Sequence, residues 1–142
     1  MKHSTYLEEI FTPHLIVESY RNNMPKRITS LRNVVYIGTG LSGTAAIFIL
    51  KQAKLINRIG IVRKKATKHS QYKVEMSHDV DSHTCRWIFV DDIIDTGQTF
   101  RRVMEEFNPK KLMGCLLYHD DSWLSGEYML KTHTTCTKRR LA

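Results

Sequence analysis

The stretch that most limits how this chain can fold is residues 87–99. A continuous apolar run, Trp87-Ile88-Phe89-Val90, leads without a break into Asp91-Asp92, and a Thr96-Gly97 turn precedes the next apolar-periodic segment. A short run with no polar alternation reads as a strand covered on both faces, as in a parallel sheet flanked by helices. The pattern recurs along the chain. Residues 34–37 are β-branched and break at Gly38-Thr39-Gly40-Leu41-Ser42-Gly43, a glycine loop before a helix over 44–54. Residues 58–62 and 111–118 supply further strands, and a helix is expected over about 100–107. Strands alternating with helices predict an α/β fold with a parallel sheet and ligands at the carboxyl ends of its strands.

The 142 residues fit one domain, 1–142. A hydrophobic fraction of 42% with 25% charged residues excludes a disordered or low-complexity chain. Leu7, Ile10, Phe11, His14, Leu15, Val17 and Tyr20 recur at helical spacing, with Pro13 dividing the segment or starting a helix that ends near Asn22. The formal charge of +8 favours phosphorylated partners, but the cations are spread along the chain, so nucleic acid is not an expected partner. Cys85, Cys115 and Cys136 form no CxxC pair, which points to a reducing cytoplasm. No membrane segment is expected, because residues 34–50 are interrupted by glycines and fall short of the roughly 20 residues that a span requires. His69, His78, His83 and Cys85 crowd one segment, yet their spacings match no tight ligand pattern.

The chemistry concentrates in Asp91-Asp92-Ile93-Ile94-Asp95-Thr96-Gly97-Gln98-Thr99. A buried strand delivers adjacent carboxylates, and the turn then offers backbone amides and hydroxyls at a helix start, where an anion is favoured. Carboxylates beside a phosphate cradle suit sugar hydroxyls and a hydrated Mg²⁺ held partly by the substrate's own oxygens. Together they suggest a phosphorylated sugar.

This segment resembles the phosphoribosyl-diphosphate signature of the type I phosphoribosyltransferases. The resemblance covers roughly residues 34–118 and implies a parallel α/β fold, here with a reduced hood. It also implies Mg²⁺-dependent transfer of ribose 5-phosphate from phosphoribosyl diphosphate to a nitrogenous, purine-like base. Asp91 and Asp92 would contact the ribose hydroxyls and, through substrate and water, the metal, and Asp95, Thr96, Gly97, Gln98 and Thr99 would wrap the 5-phosphate. Asp95 matches the proposed base of the 6-oxopurine enzymes. Gly40, Leu41, Ser42 and Gly43 fall where the family places its pyrophosphate loop, with Ser42 standing where relatives carry Lys or Arg.

Val62-Arg63-Lys64-Lys65 and Tyr72-Lys73-Val74-Glu75-Met76-Ser77 are similar to the Arg-Lys turn and mobile loop of adenine-type members. Arg63 and Lys64 would then face pyrophosphate, Glu75 would be the loop acid, and residues 64–86 would form a lid against water. Either Asp95 or Glu75 is the expected proton handler. Trp123 is a candidate for stacking on the base or for packing in the hood, and Lys138-Arg139-Arg140 reads as a frayed basic end. Homodimers accompany the resemblance. The alternative class is a non-catalytic sensor of phosphoribosyl diphosphate, or a nucleic-acid-binding regulator, on the same fold.

Overall fold

A computed structural model describes residues 2–10, 12–64 and 72–133. Its chain forms a six-stranded sheet in the order β3-β2-β1-β4-β5-β6, covered by helices on both faces. The strands are β1 (Val34–Gly38), β2 (Arg58–Val62), β3 (Val74–Met76), β4 (Arg86–Asp91), β5 (Leu112–Leu117) and β6 (Ser122–Ser125). The helices are α1 (Tyr6–Ile10), α2 (Pro13–Asn23), α3 (Lys26–Thr29), α4 (Gly40–Gln52), α5 (Gln98–Met104) and α6 (Gly126–His133). Pro13 takes the first turn of α2, where its missing N–H costs no helical bond.

The four central strands are parallel, as the buried apolar runs predict, but both edges depart from that expectation. β3 pairs antiparallel with β2, and β6 antiparallel with β5. Edge strands need only one covered face, so Val-Glu-Met and Ser-Trp-Leu-Ser form them without a continuous apolar signature. β3 also gives order to part of the expected lid, while residues 65–71 and the basic tail at 138–140 lie outside the described residues.

Alternation along the strands assigns the core. Val34, Tyr36, Ile88, Val90 and Leu116 face α2, α3 and α4, packing on Ile16, Tyr20, Ile28, Ile47 and Leu50. Val35, Ile37, Trp87, Phe89 and Cys115 face α5 and α6, against Phe100, Val103 and Met129. Burying each such large apolar side chain stabilises the fold by roughly 1.5–3 kcal/mol. No helix among the described residues is long and apolar enough to cross a membrane.

Strand order reverses between β1 and β4, whose following helices α4 and α5 lie on opposite faces. Such a switch point opens a crevice at the carboxyl ends of the two strands.

Candidate functional site at the β1–β4 switch point

Asp91 ends β4 and Asp92 follows it, and each is only 7% exposed. Their backbone is fixed by an extension of the β5 ladder, in which the Tyr118 and His119 amides donate to the Asp91 and Asp92 carbonyls at 3.1 and 3.0 Å. The carboxylates are held as firmly. Asp91 Oδ1 accepts from the Asp92 amide at 2.9 Å and from the Ser42 hydroxyl at 2.8 Å. Asp92 Oδ1 accepts from the Ile93 amide at 2.8 Å and more weakly from Ser42 at 3.3 Å, while the Tyr6 hydroxyl of α1 donates to Asp92 Oδ2.

Burial pushes the Asp91 carboxyl up to about 7. Burial acts in the same sense on Asp92, but hydrogen bonds from Tyr6, the Ile93 amide, Asp91 and Ser42 outweigh it and hold Asp92 below the usual carboxylate range. In mildly acidic solution the pair therefore carries about one negative charge, with Asp91 the member that retains a proton, which it gives up around neutrality. Tyr6 responds in kind, its hydroxyl raised to about 12 by the bond to Asp92 and then by burial. Such a pair can both accept from and donate to ligand hydroxyls.

Beyond the acids the chain turns through Ile93–Gly97 into α5, which starts at Gln98 rather than near Phe100. Gly97 adopts φ 79°, a left-handed conformation that glycine takes without Cβ strain. The Thr96 hydroxyl accepts from the Gln98 amide at 3.3 Å, and Arg101 Nη1 donates to the Thr96 carbonyl at 3.2 Å, which stiffens the turn. Asp91, Asp92, Asp95, Thr96, Gly97, Gln98 and Thr99 all line one cavity of about 390 Å³, together with Gly40, Ser42 and Tyr6.

The glycine loop expected over residues 38–43 is mostly helix, because α4 begins at Gly40. Two of its glycines serve close packing. A Cβ on Gly38 would lie 2.5 Å from the Gly43 carbonyl oxygen, and one on Gly43 would lie 2.9 Å from that of Val90, so α4 can approach β1 and β4 only with glycine at both places. Gly43 is buried and lines neither cavity described here, and Leu41 is 67% exposed and also outside them. Thr39 occupies the N-cap of α4, yet its hydroxyl donates to the Val62 carbonyl at 2.6 Å and caps no helix amide. The first-turn amides of this 13-residue helix are therefore left without a side-chain partner, a setting that favours an anion. They border a second cavity of about 470 Å³ lined by Thr39, Gly40, Thr44, Ile61, Val62, Arg63, Lys64 and Arg102.

Arg63 and Lys64 line this second cavity, whereas Glu75 and Asp95 lie apart. Glu75 lies on β3 and pairs with Arg63 at 2.7 Å, and the same guanidinium donates to the Tyr72 carbonyl at 3.1 Å. Trp123 is on β6, opposite Leu116, with its ring over Gly114 and on the α2–α4 face of the sheet, and it lines neither cavity. His78 is bonded to the Ser77 hydroxyl at 2.7 Å, and no cluster of three or more His, Cys, Asp or Glu residues among those described forms a metal cage. His69 lies outside the described residues.

Sequence reasoning missed Tyr6, Arg101 and Arg102. Tyr6 is 86 positions from the acid it bonds, and nothing local marks it. Nothing in the sequence distinguishes the adjacent arginines, and only the start of α5 fixes which one holds the turn and which borders the cavities.

No family model and no curated protein matches the sequence. Among solved structures, the chain is similar to the orotate phosphoribosyltransferase of Mycobacterium tuberculosis H37Rv in complex with inorganic phosphate, at 17% identity and TM-score 0.44, over 72% of this chain and 52% of that one. It is also similar to the adenine phosphoribosyltransferase from Rhodothermus marinus DSM 4252, at 15% identity and TM-score 0.43, over 81% of this chain and 67% of that one. The chain thus spans about half the length of the mycobacterial enzyme, and no residue role passes from either likeness to this protein.

Proposed function

We propose that the switch-point crevice binds phosphoribosyl diphosphate and that the protein is a Mg²⁺-dependent phosphoribosyltransferase acting on a purine-like base. The observation that carries this reading is the sharing of one cavity by the acid pair and the Asp95–Thr99 turn, one side suited to hydroxyls and the other to a phosphate. Asp91 and Asp92 orient the ribose hydroxyls, and the Thr96–Thr99 amides and hydroxyls hold the 5-phosphate. The uncapped first turn of α4, with Arg63 and Lys64, faces the diphosphate.

The donor set fits Mg²⁺: two adjacent carboxylates provide hard oxygens, and the absence of a larger ligand cluster among the described residues suits a cation completed by water and substrate oxygens. When bound, the ion would offset charge on the departing diphosphate. The chain's own contributions are positional and electrostatic, namely fixed donors toward developing charge and a proton acceptor toward the base. Asp95 is that acceptor, exposed to the cavity on a turn held by Arg101. Glu75 is the weaker candidate because Arg63 already holds it.

Two contacts favour a second reading, a sensor that binds without turnover: Tyr6 seated on Asp92, and Glu75 engaged by Arg63. Pyrophosphate release from phosphoribosyl diphosphate and Mg²⁺, assayed against a panel of bases, separates the two. Release with one base, abolished in the Asp91→Asn/Asp92→Asn protein, supports the transferase. Binding without release with every base supports the sensor, and binding undiminished in the double variant overturns both.

A further inference from the structure

We infer that Arg102 is the principal cation of the diphosphate subsite, supplied from α5 rather than from the start of α4. The inference rests on the proposed function and names a residue for that site. Arg102 is half-buried and lines both the acid-pair cavity and its neighbour, which also share Thr39 and Gly40. Arg102 is the charged residue among the three that both cavities share.

Apart from Lys64, the other candidates are engaged or bring no charge. Ser42 brings no charge and turns its hydroxyl onto Asp91 and Asp92. Arg63 has its charge offset by Glu75 at 2.7 Å. Arg101, next in the chain, is turned toward the Thr96 carbonyl at 3.2 Å. Arg102 appears in neither of the ion pairs found among the described residues, Arg63–Glu75 and Lys131–Glu127. Lys64 is the remaining cation, exposed at the rim. Among the described residues no carboxylate lines the second cavity, so its potential is set by Arg102, Lys64, the uncapped amides of α4 and Arg63, whose charge Glu75 offsets. A planar guanidinium with parallel N–H groups matches two oxygens of a diphosphate in a way that an ammonium does not.

Calorimetry of the full chain with inorganic pyrophosphate, phosphoribosyl diphosphate and ribose 5-phosphate, each with Mg²⁺, tests this. Arg102→Gln is expected to weaken the two diphosphates about tenfold or more while leaving ribose 5-phosphate within about twofold, since a charge-assisted bond is lost at one end of the site only. Should Arg102→Gln fail to fold, Arg102→Lys decides, with an expected loss of about threefold or more for the diphosphates alone because the charge remains and the fork does not. Unchanged diphosphate affinity in a folded variant, or an equal loss for ribose 5-phosphate, overturns the role of Arg102 and leaves the proposed function standing. A wild-type protein that binds none of the three overturns both.

Discussion

Replacing Asp91 with asparagine should stabilise the protein at slightly alkaline pH and leave it nearly unchanged in acid. The carboxyl is 7% exposed beside Asp92, and burial raises it from 3.8 to about 7 in the folded chain. Below about pH 4 both folded and unfolded chains hold this proton, and the raised value favours the folded state in full. Between about 4 and 7 the unfolded chain loses the proton while the folded one keeps it, so stability falls as pH rises; above 7 a charge must be kept buried. About three units at about 1.4 kcal/mol each set a ceiling of about 4 kcal/mol. Relaxation around the ionised pair should reduce this to about 2 kcal/mol. Asparagine retains an oxygen to accept from Ser42 and the Asp92 amide and an NH₂ to donate to Asp92, with no charge to bury. Urea unfolding at pH 4, 6 and 8 should therefore show Asp91→Asn within about 0.5 kcal/mol of wild type at pH 4 and about 2 kcal/mol more stable at pH 8. A difference independent of pH, or a variant less stable at pH 8, refutes the proton-sharing pair. The cost that asparagine relieves is one that a ligand-binding site retains for function.

Tyr6→Phe removes the donor on Asp92, so an ultraviolet pH titration should lose the tyrosine that ionises near 12, and Asp92 should titrate at higher pH in carboxyl NMR; loss instead of a tyrosine that ionises near 10 would show that the contact does not persist in solution. Asp95→Asn should lower turnover by about 10² with phosphoribosyl diphosphate affinity kept within about threefold, in steady-state kinetics and calorimetry, and a loss confined to affinity would make Asp95 part of the phosphate cradle. Glu75→Gln should cost under about 1 kcal/mol in urea unfolding, since its pair with Arg63 is partly exposed, and should reduce turnover less than Asp95→Asn; the reverse order would make Glu75 the proton acceptor.

The interior of the sheet was legible because a strand buried on both faces is apolar without interruption, and the segments 34–37, 58–62, 87–90 and 111–118 all became β1, β2, β4 and β5 within a residue or so. Its edges were not. β3 and β6 are short and polar on one side, and β6 depends on a long-range fit in which Gly114 leaves room for the Trp123 ring. The glycines at 38–43 signalled a backbone feature correctly but not its kind, since the same residues serve a ligand loop or, as here at Gly38 and Gly43, a close approach of helix to strand. The acid pair could be read from adjacency alone. Its proton could not, because that depends first on burial, which only the packed fold decides, and then on opposing hydrogen bonds from Ser42, 49 residues from Asp91, and Tyr6, 86 residues from Asp92.

Charge is divided across the crevice in a way that limits what can fill it. The β4 side carries Asp91, Asp92 and Asp95, and the β2 side carries Arg63 and Lys64, with Arg102 between them. A nucleic-acid strand laid along the crevice would bring a phosphate against the acids for each one it brought to the cations, and the repulsion would cancel much of the attraction that a charge of +8 offers. A simple inorganic anion would use only the cationic side and leave the acid pair idle. A ligand that carries both hydroxyls and phosphate groups would engage the acid pair, the Thr96–Thr99 turn and the cations of the neighbouring cavity together. Phosphoribosyl diphosphate, the proposed ligand, carries both kinds of group.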